Sequence, residues 1–334
     1  MKISAALCEN KKPLNKKPVT TLQWAKRIFT LLFFLLVPVL LFILLKNVDW
    51  QEVKKALQEI KPLTLGLGLL VALLSYVTYG SYDLIGRKYS NHTLPVSQVL
   101  QVAFVCYAFT LNLSYLVGGF ALRFRLYSRL GLDTPTITKV FTLSVITNWL
   151  GYMVLAGIIF SFRLIDLPAH WKIGATGLQF LGFVLLVLAS IYMAGCHFAK
   201  RRSWLLFGHK IELPSFRLAM AQLILACINW SLMALLIWIF LPDKISYFTT
   251  LGILLLGAVA GVITHIPAGL GVLEGIFIAL LQHQVPKSVV LAALIGYRVC
   301  YFLVPLAIAT ATYFFIEKRA RNGGGHNVPH PNTP

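Results

Sequence analysis

The sequence predicts an all-α polytopic membrane protein, and three observations carry that expectation. Of its 334 residues, 58% are hydrophobic and only 12% charged, with a mean hydropathy of +0.76. Soluble domains of this size do not have that composition. Apolar stretches long enough to cross hydrocarbon recur along most of the chain. Two of them are interrupted by glycine at corresponding places, offset by about 150 residues: Val117-Gly118-Gly119-Phe120-Ala121 and Pro267-Ala268-Gly269-Leu270-Gly271. Glycine and proline free backbone groups from a helix, and hydrocarbon cannot satisfy them. Paired interruptions in two halves of a membrane protein point to a binding site. The short alternating segments of a β-barrel are not seen.

Taken in order, residues 1–27 are polar and basic. The first span is expected over 28–45. It is read as a retained anchor, because Lys46-Asn47-Val48-Asp49 offers no small-residue cleavage site. Asp49-Trp50-Gln51-Glu52 then has the form of a capping box. Behind it, Trp50, Val53, Leu57 and Ile60 fall on one helical face, which suits an interfacial helix or an ordinary connecting one. Further apolar stretches cover 63–85, 96–122, 136–162, 173–198, 215–241, 247–283 and 288–316. Residues 318–334 form a polar tail.

Lysine and arginine orient these segments. If 96–122 crossed once, Arg123, Arg125, Arg129, Lys139 and the Lys200-Arg201-Arg202 run would all lie outside. If 96–122 and 247–283 each enter and leave from one face, 21 lysines and arginines fall inside and 8 outside, with Arg298 in the membrane. Both termini are then cytoplasmic. The two segments required to turn back are the two that glycine breaks. The expectation is six full spans plus two re-entrant hairpins. They form one membrane domain, 28–317, with repeat units at about 63–162 and 215–316. The first unit begins outside and the second inside, which is an inverted-topology repeat.

Arg298 is the costliest charge in this arrangement and must face a partner or a cavity. Glu274 follows the second break and is its expected counter-ion; the pair either receives an anionic headgroup or only fixes the hairpin. Arg123 and Arg125 follow the first break, where arginine suits phosphate and broken helices expose N–H groups. Gly118, Gly119, Gly269 and Gly271 shape the breaks, and Gly119 and Gly269 are expected to be less replaceable than Gly157 or Gly252 within the spans. His265 precedes the second break, and Asn148 occupies the position that corresponds to Arg298. Asp83 is expected to pair locally with Arg87. The basic residues sit in short loops, a pattern that argues for anionic lipid and against nucleic acid. No cysteine pairing suggests a metal, and no cofactor is expected. HExxH, GxSxG and Walker A sequences are absent, so no enzymatic role is expected.

The segments Tyr79-Gly80-Ser81-Tyr82-Asp83-Leu84, Arg125-Leu126-Tyr127-Ser128-Arg129-Leu130-Gly131-Leu132, Thr147-Asn148-Trp149-Leu150-Gly151-Tyr152 and His265-Ile266-Pro267-Ala268-Gly269 resemble the family named for the transmembrane region of lysylphosphatidylglycerol synthase. The resemblance covers about 22–317. It implies a flippase-like membrane half in the cell inner membrane, moving a phospholipid or modified phospholipid, without the soluble synthase domain of two-domain relatives. The family's breaks tend to read Pro-Gly-Gly. Here Val117 replaces the first proline and Ala268 replaces one glycine. The expected function is translocation or lateral handling of a phospholipid with an anionic or zwitterionic headgroup. A non-transporting scaffold for a lipid-synthesis or envelope enzyme, and a carrier of a small anionic solute, are the alternatives.

Overall fold

The computed structural model describes residues 50–113, 115–165, 174–199, 203–206, 209–264 and 269–323. The expected first span, the Lys200–Arg202 run, His265 and the tail beyond residue 323 lie outside them. The described chain is almost entirely helical. In order it forms α1 (Trp50–Gln58), α2 (Pro62–Ser90), α3 (Val96–Asn112), a π-helical turn (Tyr115–Leu122), α4 (Arg123–Arg129), α5 (Thr134–Ser161) and α6 (Ala175–Phe198). A small antiparallel ribbon follows, β1 (Ser203–Leu206) with β2 (His209–Glu212), pairing Ser203 with Glu212. Then come α7 (Phe216–Phe240), α8 (Tyr247–Thr264), α9 (Val272–Leu281), α10 (Lys287–Arg298), a second π turn (Val299–Leu303) and α11 (Val304–Gly323).

Proline sets several of the helix starts. Pro62 and Pro135 occupy first-turn positions of α2 and α5, while Pro95 and Pro286 immediately precede α3 and α10. Proline is tolerated there because the first-turn N–H groups have no helical partner in any case. Proline also explains the second π turn. Pro305 has no N–H to give Tyr301 and crowds its carbonyl, so the helix widens just before it. The freed carbonyls are taken by side chains: Tyr76 Oη donates to Tyr301 O at 3.0 Å and Asn112 Nδ2 to Phe302 O at 3.2 Å.

Among the described residues, six helices are long and apolar enough to cross a membrane: α2, α5, α6, α7, α8 and the continuous rod Lys287–Ile316. Five coincide with expected spans. The sixth, α8, is the inbound limb of the second hairpin. It has 18 residues, whereas its return limb α9 has ten, about 27 Å against 15 Å at 1.5 Å per residue. α1 packs on α10, with Lys54 and Lys55 exposed.

Both broken segments fold back on themselves. A Cβ built on Gly118 would stand 2.1 Å from the Thr110 backbone nitrogen, so the two limbs of the first hairpin touch there backbone to backbone. In the second hairpin, Gly257 of α8 meets Leu273 of α9. The contacts between elements come in matched pairs. α2 packs on α3 as α7 packs on α8, α2 on α5 as α7 on α10, and α4 on α5 as α9 on α10. The exchanged contacts match as well: α3 packs on α11 as α8 packs on α5, and α2 on the second π turn as α7 on α5. α2 and α7 cross each other. This is the pattern that a two-fold relation between the two units produces, and α6 lies outside it.

The glycines divide differently from the sequence expectation. Gly118 is a close-approach glycine, whereas a Cβ on Gly119 would make only ordinary contacts, the nearest at 3.4 Å. Gly269 and Gly271 hold left-handed backbone at φ +57° and +79°, where a side chain is strained. Gly157 and Gly252 are not open positions. Leu186 and Ile165 would stand 2.6 Å and 2.2 Å from an added Cβ, because Gly157 sits where α5 crosses α6 and Gly252 faces the turn that follows α5. Gly66 has open space around it.

These contacts set an order for thermal unfolding of the purified protein in detergent. Gly118→Ala should destabilise by about 1–3 kcal/mol through overpacking. Gly119→Ala should be near neutral, and Gly66→Ala should stabilise by up to about 1 kcal/mol. A Gly119 variant less stable than the Gly118 variant would contradict the limb contact.

Candidate functional site

The polar residues of the bundle gather around the return limbs of the two hairpins. On the first, α4 follows the π turn directly and carries Arg123 inward. Its Nη2 stands 3.1 Å from Asp83 Oδ1 on α2, with the two side chains 2% and 0% exposed. Tyr127, one turn further along α4, donates its hydroxyl to Asp83 Oδ2 at 2.7 Å. Phe141 of α5 lies under the guanidinium at 5.9 Å. Asp83 is therefore held by the hairpin and not by Arg87, whose Nε reaches Leu94 O at 2.7 Å. Arg125 points away from this cluster, exposed and over the ring of Tyr313 at 6.0 Å.

The second return limb repeats the device with the charges exchanged. Glu274 sits three residues into α9, where Oε2 accepts from the Gly271 N–H at 2.8 Å and so caps the helix that restarts after the break. Its other oxygen accepts from Arg298 Nε. Arg298 Nη2 also reaches the Gly269 carbonyl at 3.5 Å, and the guanidinium lies 5.2 Å from the Phe302 ring centroid. One arginine thus serves both the carboxylate and a backbone group within the break. This pair is less enclosed than the first, with side chains 15% and 10% exposed.

Between the pairs runs a buried network, in which Asn229 bonds between helices as asparagine in a span is expected to. Ser75 on α2 donates to Asn229 Oδ1 on α7 at 2.7 Å and bonds the Tyr301 hydroxyl at 2.7 Å. Tyr301 in turn bonds the Tyr107 hydroxyl at 2.8 Å. Tyr107 stacks on Tyr79, whose neighbours include Arg123, and Tyr301 stacks on Tyr297 beside Arg298. The tyrosines were legible only as aromatics at helical spacing, which in a membrane span reads equally well as packing.

The sequence candidates therefore separate into two clusters bridged by tyrosine. Arg123 belongs to one; Glu274, Arg298, Gly269 and Gly271 belong to the other. Asn148, opposite Arg298 in the repeat, is half-buried, and its carbonyl accepts from Trp230 Nε1 at 3.1 Å. His265 lies outside the described residues. Among the described residues, no group of His, Cys, Asp and Glu side chains is arranged to hold a metal ion.

Comparison with known proteins places this architecture. The model of the family described as the lysylphosphatidylglycerol synthase TM region matches residues 8–309. The chain belongs to this family. It is 47% identical over 298 residues to the inner membrane protein YbhN of Escherichia coli, covering 89% of this chain and 94% of YbhN. It is 29% identical over 280 residues to the uncharacterized protein slr0712 of Synechocystis, covering 80% and 83% of the two chains. It is 22% identical over 292 residues to a phosphatidylglycerol lysyltransferase of Staphylococcus haemolyticus. That match takes in 85% of this chain and 33% of the lysyltransferase, so the chain spans about a third of that relative. What is matched is a membrane region, and the chain is an integral membrane protein.

The two pairs should respond differently to loss of one charge. Asp83→Asn leaves Arg123 buried without its counter-ion and should cost about 3–5 kcal/mol. The double variant Asp83→Asn with Arg123→Met should recover much of that loss. Glu274→Gln keeps an acceptor for the Gly271 N–H and leaves a partly exposed arginine, so it should cost less. Thermal unfolding in detergent measures all three, and a larger loss in Glu274→Gln than in Asp83→Asn would reverse the assignment.

Proposed function

We propose that the protein moves a phospholipid with an anionic or zwitterionic headgroup across, or within, the membrane. The observation that carries this reading is the Glu274–Arg298 pair. It is an ion pair in the apolar part of the fold, built onto a helix break and left partly exposed. A cation there is costly unless it serves a partner, and a phosphate-bearing headgroup offers oxygens to take over from Glu274. The two-fold pattern of contacts supports exchange between two related arrangements of the hairpins. One relative is a phosphatidylglycerol lysyltransferase, which supports a phospholipid as the class of cargo. No enzymatic step is assigned to the chain on this reading; the YbhN likeness supports inner-membrane placement and the charge bias supports cytoplasmic termini.

One observation favours a non-transporting scaffold instead: the Ser75–Asn229–Tyr301–Tyr107 network is closed and fully buried. A reconstituted assay decides between the two. Proteoliposomes carry phosphatidylglycerol with a fluorescent headgroup-distal label, and an impermeant reductant bleaches the outer leaflet. With the protein present, bleaching should pass the outer-leaflet fraction and approach completion. The neutral pair Glu274→Met with Arg298→Met, which leaves no unpaired charge, should return bleaching to the level of empty vesicles. Bleaching equal to empty vesicles with the unaltered protein would favour the scaffold.

A further inference from the structure

α7 carries, on its outward side, a groove of about 510 Å³. Cys227, Ile228, Ser231, Leu232, Leu235 and Trp238 form its floor, at the spacing of one helical face, and Tyr247 at the start of α8 closes one end. Two polar groups of its rim are already bonded. Trp238 Nε1 donates to Ile245 O at 2.7 Å, and Tyr247 Oη donates to Ser231 O at 3.1 Å. The groove therefore presents aliphatic surface and aromatic ring faces, with its indole N–H and phenol O–H already satisfied.

Its dimensions select an occupant. The floor from Cys227 to Trp238 covers eleven helical steps, about 17 Å. That is close to one leaflet's share of a hydrocarbon core about 30 Å thick. The volume lies in the range of ligand sites, about 300–1,000 Å³. Tryptophan and tyrosine stand at the end next to the 241–246 turn, which is the placement of interfacial aromatics. An extended chain with its polar end at Trp238 and Tyr247 and its methyl end at Cys227 satisfies every one of these constraints. Phe240, two residues beyond Trp238, packs on Gly296, two residues before Arg298. The groove thus lies on the helix that borders the one carrying Arg298.

We propose that this groove seats one acyl chain of a phospholipid from the leaflet on the side of the 241–246 turn. The proposal rests on the lipid-handling reading and adds a division of labour. The headgroup is met by Arg298 and Glu274, and one tail stays at the bilayer side along α7.

Phosphatidylglycerol with a photoactivatable diazirine, either at the tail's end or near its ester, tests this in proteoliposomes of the full chain. After illumination and digestion, mass spectrometry locates the adducts. The terminal probe should label around Cys227–Ser231 and the ester-proximal probe around Trp238–Tyr247. Leu232→Trp, which fills the floor, should reduce both several-fold while labelling of Phe180 and Phe183 on the outer face of α6 stays constant. Adducts spread evenly over α6 and α7, or unchanged in Leu232→Trp, would overturn the proposal. So would efficient disulfide formation between Cys227 and a cysteine placed within 28–45, because the chain's own segment would then cover the groove. Bleaching measured on the same vesicles separates the two readings. Transport without groove adducts refutes the groove alone, and groove adducts without transport refute translocation alone.

Discussion

A helix broken inside hydrocarbon must find partners for the backbone groups it frees, and two of the three breaks in the described structure show where those partners come from. At the first break, the limbs close on each other through Gly118. At the second, Glu274 caps the restarted helix and Arg298 reaches the Gly269 carbonyl. In the last span, Tyr76 and Asn112 take the carbonyls released ahead of Pro305. The latter two recruit a residue from another part of the bundle, so each of those breaks is also a fastening. In the last span, the side chains that satisfy the backbone, Tyr76 and Asn112, also tie the two repeat units together.

The same economy explains where the charges sit. Each return limb carries one member of an ion pair and a span supplies the other, but the signs are exchanged between the units: Arg123 with Asp83, Glu274 with Arg298. Neither pair is a convenient source of stability, because desolvation offsets most of the attraction. Their effect is to fix where each limb docks, since an undocked limb would leave a bare charge in hydrocarbon. The pairs differ in enclosure, and the more exposed one also holds backbone of the break. That asymmetry is what gives the second cluster, and not the first, its candidacy for meeting a headgroup.

Much of this was legible in the residues. The glycine pairs, the offset of about 150 residues and the charge bias gave the two-unit architecture, and the cost of Arg298 in a span pointed to Glu274. What was not legible depends on contacts between distant segments. Asp83 and Arg123 are forty residues apart, and a local i+4 pair with Arg87 accounts for Asp83 equally well until the hairpin is seen to fold back. Gly118 and Gly119 are equivalent in sequence, and only the approach of Thr110 separates them. Gly157 and Gly252 pass for ordinary helical glycines until their contacts with Leu186 and Ile165 appear. Pro305 was the one overlooked signal that sequence alone offered, since a proline deep in a span marks a released carbonyl four residues back.

The central claim is that both broken segments leave the membrane on the face they entered, on opposite sides of the bilayer. α8 is long enough to cross, so sidedness of the hairpin ends is the direct test. Single cysteines replace Asn91, Gly131, Asp243 and Gln284, one at a time, in a version without native cysteines, and an impermeant maleimide is applied to intact cells and to inverted membranes. Positions 91 and 131 should label together from the cytoplasmic side, and positions 243 and 284 together from the other. Labelling of either couple from opposite faces would make that segment a crossing helix and contradict the account.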